Sequence, residues 1–194
     1  MNRQLRTKEK IRAAAADLFI RHTVSRVTAD EIASYAGMSK KTLYNHFSSK
    51  EELEREVFLH FIHDIRLQIG RLAEEDTDFL HKLQNLMRII THVTGILSDR
   101  LIEDLQQNKR ELWRMIDEER HISFVEGVTP IFHQGQQQGF IRNNIDIPFV
   151  MEMLYQNIRI ISDSEFIRAS SRSLAELAPL MLDIFMNGIM EKGK

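Results

Sequence analysis

Apolar residues in this chain recur at spacings of three and four, and no stretch alternates apolar with polar as a half-buried strand does. Ile11, Ala15, Leu18 and Phe19 form a first stripe, which predicts a helix over residues 7–22. Leu53, Val57, Phe61, Ile65, Ile69 and Leu72 form a second, opened by Ser49 and Glu52 at capping-box spacing and closed by the acidic run 74–76. The pattern resumes over 78–97, in a short helix over about 98–107, and in a long one from 109 towards 138, which Pro130 is expected to kink or divide. Gly135, Gly139 and the polar run 142–144 end that region, and Asp146 with Pro148 starts a helix carrying Phe149, Met153, Leu154, Ile158 and Ile161. A polar stretch, 162–172, precedes a final helix with Ser173 and Glu176 as its capping box. There Leu174, Leu177, Met181, Leu182, Ile184, Phe185 and Ile189 cover more than one face, which calls for two neighbours: the helix's own domain and a second subunit. The expected fold is all-α.

Between residues 28 and 50 the signals are densest. Thr28 and Glu31 have capping-box spacing, with Val27 and Ile32 as a hydrophobic staple. Ala33 is small enough for a second helix to cross closely, and Gly37 can take the left-handed conformation of a tight turn. Ser39 can cap the next helix, whose Leu43 and Phe47 point inward four residues apart. Lys40, Lys41, Thr42, Tyr44, Asn45 and His46 are left on the other faces. Cations, hydroxyls and an amide suit phosphates and base edges in a major groove, so this helix-turn-helix is expected to bind double-stranded DNA. Tyr44 can also serve as a partly buried ring of the small core, and His46 as an ordinary surface histidine.

Residues 8–58 resemble the N-terminal DNA-binding domain of the tetracycline-repressor (TetR) family of bacterial regulators. The resemblance is carried by IRAAAADLF at 11–19, TADEIASYAGMSKKTLYNHF at 28–47 and SKEEL at 49–53, three segments in order at family spacing. One departure is the link 21–27, which has no glycine or aromatic where the family usually has both. The resemblance implies phosphate contacts at Thr28, Tyr44, His46 and Lys50, and base contacts from the start of the recognition helix. The DNA-binding set is therefore Thr28, Ser39, Lys40, Lys41, Thr42, Tyr44, Asn45, His46 and Lys50. The division implied is a DNA-binding domain at 1–50, a connecting helix at 50–73, and a helical ligand-binding and dimerisation domain at 74–194. Such domains usually enclose a small-molecule pocket, and His92, Trp113, Phe124 and Tyr155 are the candidate lining. Methionines and aromatics suit an apolar or amphipathic effector. The same four are also ordinary core residues at helical spacing.

Charge sharpens the division. The whole chain of 194 residues has a formal net charge of −2, yet residues 1–50 hold 10 Lys+Arg against 4 Asp+Glu. A basic head on an acidic body concentrates a nucleic-acid footprint where the helix-turn-helix lies. With 0 cysteines there is no disulfide framework, thiolate metal site or cysteine nucleophile, and a reducing cytoplasm fits. No apolar run approaches the ~18 residues of a membrane span, and the first residues lack the shape of a signal peptide. The eight histidines are scattered without a persuasive third ligand, so neither a metal nor a cofactor is expected. No glycine-rich phosphate loop, zinc-protease pair or nucleophile elbow supports an enzyme. The expected protein is a homodimeric repressor released from a palindromic operator by a small molecule. Its rivals are a constitutive DNA-binding protein without ligand control and an enzyme or carrier with an accidental helix-turn-helix-like segment.

Overall fold

The computed structural model describes residues 3–190, which form ten α-helices and, beyond them, one isolated antiparallel bridge between Ile141 and Met190. The helices are α1 (Arg3–His22), α2 (Ala29–Tyr35), α3 (Lys40–Tyr44), α4 (Lys50–Glu74), α5 (Phe79–Ile96), α6 (Asp99–Asn108), α7 (Arg110–Gln137), α8 (Ile147–Ile161), α9 (Ser164–Ser170) and α10 (Leu174–Ile189). They gather into two compact units. Unit 1 is the described part of Met1–Phe61 with Arg100–Asp117, and unit 2 is Ile62–Asp99 with the described part of Glu118–Lys194.

In unit 1, α1 packs on α2 and α2 on α3. Ile11, Ala15, Phe19, Ile32, Leu43, Phe47 and Leu53 are buried, and the Phe19 and Phe58 rings lie nearly parallel with centroids 6.5 Å apart. α6 contributes Leu101, Ile102 and Leu105, each 1% exposed, so residues far along the sequence complete the core of the N-terminal unit. A polar knot fixes this arrangement. The Asp104 carboxylate, 6% exposed, accepts hydrogen bonds from the Ser25 amide (2.9 Å), the Ser25 hydroxyl and the Asn108 side chain (2.9 Å). Burial pushes the Asp104 carboxyl up, but these donors outweigh it and hold it below the usual carboxylate range.

The helix ends follow local chemistry. α1 closes at Thr23, whose amide bonds to the Phe19 carbonyl (2.9 Å) with φ 68°. That left-handed position is normally glycine or asparagine, and a β-branched residue there is strained by about 1–2 kcal/mol. Thr23→Gly should therefore raise stability by about 0.5–1 kcal/mol, once the larger unfolded-state entropy of glycine is subtracted. Chemical denaturation measures this, and an unchanged or lower midpoint would contradict the strain.

Unit 2 packs α10 against α5 and α8, with α9 on α8. Phe79, Phe132, Met151, Leu154 and Leu182 lie in its core, and the Phe79 and Phe132 rings meet edge-on at 6.2 Å. Asp78 caps α5 through the His81 amide (2.8 Å), and Ser173 and Glu176 close a full capping box on α10. Of the two outcomes expected of Pro130, division does not occur, because α7 runs through it unbroken. One sequence expectation needs correction: the polar stretch 162–172 contains a helix of its own, α9. The Asp163 side chain caps that short helix, and Ile167, 6% exposed, anchors it.

Candidate nucleic-acid interface

Three local devices present α3. Thr28 accepts from the Glu31 amide (3.2 Å) while Glu31 accepts from the Thr28 amide (2.7 Å), so the α2 capping box is complete. The Thr28 amide and then its hydroxyl hold the Glu31 carboxyl below its ordinary value, so the box stays ionised at neutral pH. α2 ends in a paired turn: the Met38 amide reaches the Ala33 carbonyl (2.8 Å) and the Gly37 amide reaches that of Ser34 (3.0 Å). Gly37, at φ 67°, occupies the left-handed corner of this turn. Ser39 then caps α3 by accepting from the Thr42 amide (3.1 Å).

Leu43 and Phe47 are buried at 0% and 1% exposure. With that side of α3 facing the core, Ser39, Lys40, Lys41, Tyr44 and Asn45 are exposed, and Thr42 and His46 are half-buried. Tyr44, 42% exposed, is not a core ring. The N-terminal edge of α2 adds exposed Thr28. These eight residues lie within one compact unit on consecutive short elements.

Lys40 and Lys50 differ from a bare reading of their charges. Lys40 pairs with Asp30 across the turn at 2.7 Å, and the hydrogen bond to that carboxylate raises the lysine's pKa. Both partners are exposed, so the pair is readily exchanged for a phosphate. Lys50 is turned inward, where its ammonium donates to the Val24 carbonyl (2.8 Å) and pairs with Glu54 at 3.1 Å. Glu54, 2% exposed, also takes Lys109, between α6 and α7, at 2.9 Å. Lys50 thus ties α4 to the α1–α2 link. Ser49 caps the Glu52 amide (3.1 Å), but the Glu52 carboxylate returns to the Ser48 amide (2.5 Å), one residue earlier than the expected capping box.

Of the candidate ligand residues, Phe124 and Tyr155 are brought together within one unit. Trp113 belongs to unit 1, whereas His92, Phe124 and Tyr155 belong to unit 2. His92 is exposed on α5. Phe124 and Tyr155 do meet, with ring centroids 6.0 Å apart, and Tyr155 is 2% exposed. His121 lies against the same Tyr155 ring at 4.4 Å, and the Arg120 guanidinium carbon is 5.7 Å from its centroid. Sequence reasoning missed His121 and Arg120. Their spacing of three and four residues from Phe124 was the available signal.

Capped α2, glycine turn and α3 with an exposed polar face constitute a helix-turn-helix, and the chain is a DNA-binding transcriptional regulator. Residues 11–57 match the sequence model described as bacterial regulatory proteins, tetR family. The chain is 27% identical over 168 residues to YvaF, an uncharacterised helix-turn-helix-type transcriptional regulator of Bacillus subtilis, covering 84% of this chain and 85% of the relative. It is 23% identical over 186 residues to the probable acrEF/envCD operon repressor of Escherichia coli K12, covering 92% and 84%. Among solved structures, the complex of SmeT with triclosan superposes with a TM-score of 0.71 at 20% identity, covering 96% of this chain and 93% of that one. SmeT is the repressor of the Stenotrophomonas maltophilia multidrug efflux pump SmeDEF. Residues 11–57 thus form a tetR-family segment. No helix among the described residues is long and apolar enough to cross a membrane.

Proposed function

We propose that the protein is a homodimeric repressor, released from a palindromic operator by an apolar or amphipathic small molecule. The observation that carries the reading is the division of α3, with Leu43 and Phe47 buried and Lys40, Lys41, Tyr44 and Asn45 exposed. Lys40 and Lys41 supply phosphate charge, and Thr42, Tyr44 and Asn45 supply hydroxyl and amide groups for phosphates and base edges. Thr28, Ser39 and His46 flank them. Lys50 acts one step back, by orienting the start of α4. The N-terminal residues hold the DNA-binding role, and the helices from α5 onward hold the ligand and the dimer contact.

Dimerisation is supported by two apolar stripes that unit 2 leaves uncovered. On α8, Phe149, Met153 and Ile160 are 63%, 45% and 51% exposed; on α10, Leu180 and Ile184 are 46% and 74% exposed. An apolar face of this kind matches the patches that form subunit interfaces. Leu182 is buried at 5% exposure in unit 2's own core, so a charge there would test folding rather than association. For the effector, the Phe124–Tyr155 pair with His121 and Arg120 offers aromatic surface beside polar groups. SmeT's binding of triclosan supports a ligand of similar polarity. Release requires a ligand that prefers the non-binding arrangement, and a coupling of about 1–3 kcal/mol gives 5–150-fold weaker operator binding. α4 belongs to both units and is the element proposed to carry that coupling.

Tyr44→Ala should cost about 1–3 kcal/mol of operator binding while Tm stays within a few degrees. Fluorescence anisotropy on operator DNA measures it. Unchanged affinity in a folded variant would remove Tyr44 from the DNA-binding set.

A further inference from the structure

A cleft of about 870 Å³ opens within unit 1, lined by the end of α1, the α1–α2 link, Glu31 of α2 and one side of α6. We infer that it is a binding site for a small polyvalent oxyanion, a phosphate ester or polycarboxylate, separate from both the DNA face and the effector pocket.

Most of the charged groups lining the cleft are already engaged. Its acids are committed: Glu31 to the Thr28 cap, Asp104 to Ser25 and Asn108, and Glu103 to the Gln107 amide (3.1 Å). Arg21 is held by Asp17 at 3.0 Å. Arg26 and Arg100 line the same cleft, are exposed, and have no hydrogen bond or ion pair among the described residues. His22 joins them, also exposed. The uncommitted donors are thus cationic, and guanidinium forks match carboxylate and phosphate oxygens in pairs. The volume lies in the range of small-molecule sites. Strained Thr23, at φ 68°, also lines the cleft, and backbone strain of this kind clusters at binding sites. An occupant would touch α6 on one side and the link into α2 on the other.

The test is isothermal titration of the full-length protein at 150 mM NaCl with pyrophosphate and, separately, with citrate. Wild type should bind at least one with a Kd below about 1 mM, since charge-assisted forks lose strength to salt screening only in part. The pair Arg26→Gln/Arg100→Gln should weaken it tenfold or more at unchanged Tm, and Arg26→Lys/Arg100→Lys should recover part of the loss. Pyrophosphate binding alone assigns a phosphate ester, and citrate binding alone a polycarboxylate. Binding of neither, or equal binding by the glutamine variant, overturns the inference. Operator affinity of that variant is a separate readout. If it falls while neither anion binds, the arginines serve DNA and the inference is likewise overturned.

Discussion

Ile184→Glu should convert the protein into a folded monomer that has lost specific operator binding. Ile184 is 74% exposed on α10, so the charge costs unit 2 little in the isolated chain. In the proposed dimer the same position is buried against a second copy, where an unpaired carboxylate is strongly unfavourable. Hot-spot positions contribute about 2 kcal/mol or more each, and twofold symmetry counts the change twice. A combined loss of about 4 kcal/mol raises the dimer Kd about a thousandfold. The interface should be of the obligate class, burying about 2,000 Å² or more, so wild type should be dimeric at micromolar concentration. Sedimentation equilibrium measures both proteins. A monomeric wild type, or an Ile184→Glu variant that stays dimeric, would contradict the assignment of α8 and α10 as the interface. Leu182→Glu, by contrast, should lower Tm sharply.

Glu54→Ala should destabilise the protein by about 3 kcal/mol, at the low end of the range for breaking a buried ion pair. Glu54 is 2% exposed and holds two ammonium groups, Lys50 at 3.1 Å and Lys109 at 2.9 Å. Removing it leaves two cations beside an apolar core. Their own exposure, 18% and 20%, lets each reach some water, which argues for the low end. For a chain of this size the expected fall in Tm is roughly 6–12 °C. Operator affinity should fall too, because Lys50 would no longer be held against the Val24 carbonyl at the start of α4. Replacing Glu54 and Lys109 together with leucine and methionine should recover only part of the loss, because the Lys109 charge is removed with Glu54 but Lys50 still lacks its carboxylate. If Glu54→Ala melts like wild type, the cluster is not a structural tie.

Which features were legible in the sequence follows from how local their causes are. The boxes at Thr28–Glu31 and Ser173–Glu176, the helix start at Asp146 and the Gly37 turn each depend on residues within a few positions, and the structure repeats them. α9 has only seven mostly polar residues and is held by Ile167 buried against other elements, so periodicity had nothing to register. Thr23 in a left-handed conformation breaks the rule by which glycine marks a helix end. Lys50 reads as a surface cation until Glu54 and Lys109 meet it, and Lys109 is distant in sequence. Asp104, at the centre of the tie between α6 and the α1–α2 link, likewise carries no local signal. The exposed face of α3 was readable because the burial of Leu43 and Phe47 follows from one short amphipathic turn, whereas the scattered aromatics of the ligand set depend on helix packing.

In the proposed homodimer two copies of α3 read DNA together. Selection of bound sequences from a random duplex pool by the full-length protein, followed by hydroxyl-radical footprinting of the enriched site, tests it most directly. The enriched site should be an imperfect palindrome protected on one face, with half-site centres about one helical turn apart, roughly 34–36 Å. A Lys41→Ala/Tyr44→Ala variant should enrich no such site. Enrichment of an unpaired site, of no sequence at all, or of the same palindrome by that variant would contradict it.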